Sequence, residues 1–392
     1  MTPDRPLFLQ KDELYGEIVF TQAEQRILRT PQIQRLEDIS LSAVPPITLG
    51  KQIPSRLEHS IGVAHLAKIV GRKPEFNLYS VELFAAAIAH DVGSPPFSHI
   101  GERFLYKILG ISHERFAEAM LTKSELSAEL AAQEIDADTV LKIINGQLNP
   151  ISDIIAGSMD VDNLDNIQRY GRAMGIIGTP LYSGERLARA YTLHNGNVAL
   201  AEGSEEDLRG WIESRNKVYQ YVYSSENHVM GAMTMRALQF AYEEGELKNE
   251  FFFWTDTQAY DYLRQDCNPK TKKIAELAAS KQPYKTVTDL VITNPSDNFA
   301  EICRNADNRE TVADGIAEEF FIPREDVCIY FGKSRNYRRI NLFFINGADI
   351  ANLSGIQQEW TAQIFVYPEH VSKLEKIDKV FRERVGISEH SF

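Results

Sequence analysis

The run Ala87-Ile88-Ala89-His90-Asp91-Val92-Gly93-Ser94-Pro95-Pro96-Phe97-Ser98-His99 decides how this chain is read. Residues 81–89 are an apolar helical run that delivers a histidine and an aspartate side by side. Gly93, Pro95 and Pro96 then stop the helix. A His-Asp pair at a helix end can offer one nitrogen and one oxygen to a single metal ion. By itself the doublet also fits a capped, hydrogen-bonded helix end, so the flanking chain has to decide.

Working outward, residues 56–70 read as a helix with Leu57, Ile61, Ala64 and Ile69 on one apolar side, ended by Gly71 and Pro74. Downstream, residues 100–109 and 113–121 read as helices separated by Gly110. The helical pattern continues over 127–132, 138–145 and 151–170, then over 205–243 as one or two helices. Upstream, residues 21–29 and 31–39 are short helices, the second with Pro31 at its first turn. Residues 44–54 carry Pro45, Pro46, Pro54 and Gly50 and read as a loop, and residues 1–20 as an irregular arm with one strand at Ile18-Val19-Phe20. Past residue 246 the texture changes. Residues 251–256 read as the start of a buried helix, residues 326–330, 340–345 and 363–367 as strands, and 369–385 as an amphipathic helix. The expected fold is mainly α: a helical bundle over 1–246, with a smaller C-terminal α/β lobe over 247–392 packed tightly on it.

The 392 residues give ample material for a core, and 43% hydrophobic with 25% charged residues fit a globular protein. A net charge of -13 disfavours nucleic acid as the main partner. No apolar run is long enough to span a bilayer, and Met1-Thr2-Pro3-Asp4-Arg5 lacks a basic-then-apolar leader pattern, so no membrane partner is expected. Cys267, Cys303 and Cys328 are far apart and form no C-x-x-C pair. A disulfide framework or thiolate zinc site is therefore not expected, and the cytoplasm is the expected location.

Three segments share one chemical character: Arg56-Leu57-Glu58-His59, His90-Asp91, and Met159-Asp160-Val161-Asp162-Asn163-Leu164-Asp165-Asn166. Aspartates at 160, 162 and 165 beside apolar Val161, Leu164 and Ile167 cost stability unless solvent or a cation compensates. A solvated acidic face would also explain them. If the helices converge, His59, His90, Asp91 and one of Asp160 or Asp162 make a mixed nitrogen and oxygen set suited to one divalent ion, whether Mn, Fe, Co, Ni, Zn or Mg. Helical bundles build such sites from facing helices.

The order H…HD…D resembles the HD phosphohydrolase superfamily. Arg56-Leu57-Glu58-His59-Ser60-Ile61-Gly62-Val63, His90-Asp91-Val92-Gly93, Pro96-Phe97-Ser98-His99, Ser112-His113-Glu114 and Asp162-Asn163-Leu164-Asp165 resemble its SAM-and-HD-domain deoxynucleoside triphosphate triphosphohydrolase branch. Thr30-Pro31-Gln32-Ile33-Gln34-Arg35-Leu36, Thr255-Asp256 and Asn268-Pro269-Lys270 are similar to further segments of that branch. The likeness runs from about residue 17 to the final helix, with no counterpart of the SAM domain expected. The resemblance implies His59, His90, Asp91 and Asp162 as metal ligands. It implies His99, Glu102 and His113 in the catalytic pocket, His113 giving a proton to the leaving oxygen. Arg56 and Arg215 would hold phosphate oxygens, with Tyr223 in the substrate-contacting helix. Without the resemblance, His99 reads as a helix cap, Glu102 as a first-turn carboxylate, and Arg215 with Tyr223 as a core-edge pair. Relatives of this branch assemble, so a homo-oligomer is expected too.

The departures concern substrate rather than metal. Ser94 stands where that pattern has a histidine, and Asn163 and Asn166 where it has a cation and an aromatic. Tyr170 replaces a carboxylate expected near the sugar, and Leu41 a glutamine. The first expectation is hydrolysis of a nucleotide phosphate ester, giving nucleoside plus triphosphate. An alternative is a phosphatase or phosphodiesterase on a monophosphate or modified nucleotide, which Asn163 and Tyr170 favour. A non-catalytic nucleotide-binding sensor or assembly subunit is the rival from another class.

Overall fold

In the computed structural model, residues 8–42, 53–333, 343–344 and 359–386 are described. The expected loop over 44–54 lies almost wholly outside them, as does most of the expected strand over 340–345, of which Phe343–Phe344 is described.

The Arg56–Gly71 helix is the axis of the molecule. Ser55 and Glu58 form a capping box at its start. The expectation of a single apolar side understates its burial, because Arg56, His59, Ser60, Gly62 and Ala67 are buried with the large apolar residues. Ser80–Ala89 packs against it, its core run from Leu83 to Ala89 wholly buried. The small Ala85-Ala86-Ala87 surface allows that close approach. His99–Leu109, His113–Thr122, Val161–Ala173, Glu205–Val222 and Ser225–Glu243 are the longer helices that follow in this part of the chain. The stretch read as one pattern over 151–170 is broken: Asp153–Ala156 is a short helix, Gly157 is extended, and Asp160 caps a new helix at Val161.

Local chemistry corrects the reading elsewhere. Phe8–Asp12 and Gly16–Phe20 pair as an antiparallel hairpin, where one strand was expected. Tyr191–His194 and Asn197–Leu200 form a second hairpin across Asn195 and Gly196, both with positive φ. Asn249–Phe253 is a 3-10 turn, not the start of a helix; the helix is Asp256–Gln265, opened by a Thr255–Gln258 capping box.

The C-terminal sheet has Trp360–Val366 between Lys285–Ile292 and Val327–Lys333, all antiparallel. Side-chain alternation divides its two faces. Val327, paired with Val366, joins a small core closed by Asp297–Arg304, Ala306–Glu319 and Leu374–Arg384, whereas Cys328, paired with Phe365, packs into the large helical core. The helices over 256–279 also belong to the large core, so packing changes nearer Leu290 than residue 246.

Candidate metal centre

The HD turn is a strained piece of backbone fastened from three sides. After His90 the chain passes Gly93 and the prolines, and Phe97 and Ser98 take φ of 62° and 51°, a region costly for side chains with a Cβ. Asp256 holds the strain: Oδ1 accepts the Phe97 N–H at 2.8 Å and Oδ2 accepts the Ser40 N–H at 2.9 Å. Burial pushes the Asp256 carboxyl up to about 6, against the two backbone donors. Arg35 donates to the Val92 and Ser94 carbonyls at 3.2 and 2.5 Å. Gly93 leaves room for the neighbouring helix, since a Cβ there would lie 2.5 Å from the His113 carbonyl oxygen.

Held this way, His59, His90 and Asp91 each aim one donor atom within 4.8 Å of the others. Asp162 Oδ1 lies 3.0 Å from His59 Nε2 and 4.0 Å from His90 Nε2. Asp160, the other aspartate considered for this place, accepts the Asn163 N–H as a helix cap. Tyr191 and Tyr182 hydroxyls donate to the Met159 and Leu164 carbonyls and so pin the Asp162 segment from both ends. The solvated acidic face is not what forms: Asp160 and Asp165 are buried.

The tautomers suit a metal. His59 Nδ1–H donates to Asp165 at 2.7 Å and His90 Nδ1–H to the Ala87 carbonyl at 2.8 Å, so both Nε2 atoms face the cluster. His90 Nε2 and Asp91 Oδ2 are buried, 3.4 Å apart, with no hydrogen-bond partner among the described residues. Two unsatisfied buried polar atoms facing each other are costly, and a shared cation would satisfy both. Two imidazoles and two carboxylates fit such an ion. Electrostatics agree. Burial works against a charged His59, yet Asp162 and Asp165 carry it up to about 9. Burial also opposes ionisation of Asp91, but Arg56 and the two histidines hold its carboxyl well below the usual range.

A second group lies on the open side. Glu102 accepts from His99 Nδ1 at 2.9 Å and has His113 Nδ1 at 3.7 Å. Burial raises the Glu102 carboxyl, but His99, His113 and Arg56 bring it below its ordinary value. The structure thus brings together His99, Glu102 and His113. Arg56, expected on phosphate, bonds Asp91 at 2.5 Å and Ser98 Oγ at 2.9 Å. Arg215 is buried and stacks over Tyr219 at 4.3 Å, and Tyr223 stacks on the same ring. Tyr170 is buried beside Ser42 and Tyr221. Sequence reasoning missed Arg35, Asp12 and the role of Asp165. Glycines at 62 and 93, three residues past each metal-side histidine, were the available signal.

Residues 56–170, the stretch that carries every cluster member, match the family model described as HD domain. They are an HD domain. The chain is 24% identical over 221 residues to the uncharacterized protein MJ1154 of Methanocaldococcus jannaschii, covering 54% of this chain and 45% of that one. It is 24% identical over 335 residues to the deoxynucleoside triphosphate triphosphohydrolase SAMHD1 homolog of Dictyostelium discoideum, covering 79% of this chain and 63% of that one. It therefore spans less than two thirds of either relative's length. A hypothetical protein from Aquifex aeolicus shares the fold, with TM-score 0.74 and 20% identity over 95% of this chain and 100% of that one. The fold neighbour adds architecture to the HD match. Among the described residues, no helix is long and apolar enough to cross a membrane.

Proposed function

We propose that this HD-domain chain is a metal-dependent phosphohydrolase acting on a nucleotide, with a nucleoside triphosphate cleaved to nucleoside and triphosphate as the first reading. The observation that carries it is the facing pair of buried atoms, His90 Nε2 and Asp91 Oδ2, within reach of His59 and Asp162. His59, His90, Asp91 and Asp162 would hold one divalent cation, which supplies Lewis-acid polarisation of a phosphoryl oxygen. Arg56 keeps Asp91 ionised and oriented. Glu102 orients His99 and draws His113 towards the open side, where His113 gives its proton to the leaving oxygen. Arg215 and Tyr223 are the substrate-side candidates, and assembly into a homo-oligomer belongs to the same reading. The name of the Dictyostelium relative supports a nucleoside triphosphate.

A second reading, a phosphatase or phosphodiesterase on a monophosphate or modified nucleotide, is favoured by Asn163. Its amide nitrogen donates to Asp160 at 2.6 Å, so this position supplies no cation for outer phosphates. Mass spectrometry of products separates the readings. The protein, with Mn²⁺ or Mg²⁺ added, receives ribo- and deoxynucleoside mono- and triphosphates. Nucleoside plus intact triphosphate is the expected result. Orthophosphate from monophosphates alone selects the second reading, and no turnover of any member contradicts both.

A further inference from the structure

The candidate centre has a back wall outside its ligand set. Asp165 Oδ1 accepts His59 Nδ1–H, and Arg169 grips the same carboxylate, Nε on Oδ1 and Nη2 on Oδ2, both at 2.8 Å. Arg169 Nη2 continues to Asp12 Oδ2 at 2.9 Å. Asp12 sits where the Phe8–Asp12 strand enters its turn, so the N-terminal hairpin reaches the centre from behind. None of the four side chains is more than 5% exposed. Surface ion pairs contribute little, but a buried charge left without its partner is strongly destabilising. The backbone is built around the chain as well: a Cβ on Gly62, one turn past His59, would lie 2.0 Å from Asp165 Oδ2 and 2.4 Å from Arg169 Nη2.

We propose that Asp12 is a positioning residue of the centre. The hairpin holds Arg169, Arg169 holds Asp165, and Asp165 sets the tautomer, orientation and donor strength of His59. The inference rests on the metal-centre reading above. With His59 neutral, the two carboxylates and one guanidinium leave a net negative charge directed at Nδ1–H, which strengthens Nε2 as a donor. Without the Asp12 charge, Arg169 acts on Asp165 alone, the carboxylate becomes a poorer acceptor and His59 a poorer ligand. Asp12 Oδ1 separately accepts the Leu14 and Tyr15 N–H groups at 2.8 and 3.1 Å. Asp12→Asn keeps that turn acceptor while removing the charge.

The test uses the full chain, stripped with chelator and titrated with Mn²⁺ followed by electron paramagnetic resonance, then with Co²⁺ followed by visible absorption. Asp12→Asn is expected to bind Mn²⁺ about tenfold more weakly, the lower end for outer partners of a ligand, and to shift the Co²⁺ bands. Arg172 donates to the Glu13 carbonyl in the same turn at 3.2 Å without touching the chain of charges. Arg172→Ala is expected to leave both readouts at the wild-type value. If Asp12→Asn does not fold, Arg169→Lys, whose single nitrogen cannot reproduce the paired Nε and Nη2 grip on the Asp165 carboxylate, is expected to weaken Mn²⁺ by a similar factor. Equal Mn²⁺ affinity in wild type and Asp12→Asn overturns the inference, as does equal weakening in Arg172→Ala. Wild type that takes up neither metal overturns the metal-centre reading, and this inference with it.

Discussion

The two sides of the candidate centre are built on opposite principles. Behind His59 a dry chain of ion pairs runs through Asp165 and Arg169 to Asp12. In front, His113 and His99 are 46% and 64% exposed and share one carboxylate, Glu102, with the looser contact at 3.7 Å. On the proposed function, the difference follows from what each side would do. A group that holds a metal ion is most effective when its orientation is fixed before the ion arrives. A group that passes protons to a leaving oxygen needs access to substrate and solvent, and its hydrogen bonds tighten only with substrate bound. Rigidity behind and exposure in front are one design.

The largest expected effect that breaks this comparison is on the exposed side. His113→Ala is expected to lower turnover by about 10²- to 10⁴-fold, the usual range for a general acid, while metal content and nucleotide binding stay at the wild-type level. Turnover within a few-fold of wild type would remove His113 from the proton-donor role. Gly62→Ala strikes the other side. Its Cβ has no room beside Asp165 and Arg169, so a stability loss of about 1–3 kcal/mol is expected from overpacking, together with weaker metal binding. Chemical unfolding of the stripped protein measures it, and an unchanged midpoint would mean that the back wall is softer than described.

A smaller effect is read from pH. His59 sits at about 9 in the fold, because Asp162 and Asp165 outweigh burial, against about 6.5 for a free histidine. Between those values the folded protein binds more protons than the unfolded chain. The stabilisation is therefore fully present below about pH 6.5 and is lost as pH rises through about 9. The melting temperature of chelated protein is expected to fall across that window, and to fall less in His59→Gln. Because metal has to displace the Nε2 proton, Mn²⁺ affinity should rise over the same window. A flat affinity profile would contradict the assigned protonation of His59.

The same comparison separates what the amino-acid sequence reveals from what only folding assembles. The helices bearing His59, His90 and His99 follow from apolar periodicity and from punctuation by Gly71, Gly93 and Gly110, and their ends agree with expectation to within a residue or two. The H…HD…D order, together with the resemblance, points to His59, His90 and Asp91, whose donor atoms gather within 4.8 Å of one another, and to Asp162 beside the two histidines. The back wall could not be found that way. Asp165 reads as one more acidic residue on a helix, and Arg169 only as the neighbour of the departure at Tyr170. Their pairing with His59 and Asp12 spans more than a hundred residues of chain, and long-range partners leave no period to detect. The same holds for Asp256, whose burial beneath Phe97 and Ser40 joins distant segments. The Phe8–Phe20 hairpin went half-read because its strands are short and polar on one side, and their value lies in where the turn points.

The central claim is that His59, His90, Asp91 and Asp162 form one metal site, and Asp91→Ala tests it most directly. Wild type and Asp91→Ala are loaded with Mn²⁺, desalted and assayed for metal per chain by mass spectrometry. One equivalent in wild type and none in the variant, with turnover lost alongside it, is the predicted result. Stoichiometric metal retained in Asp91→Ala would contradict the site.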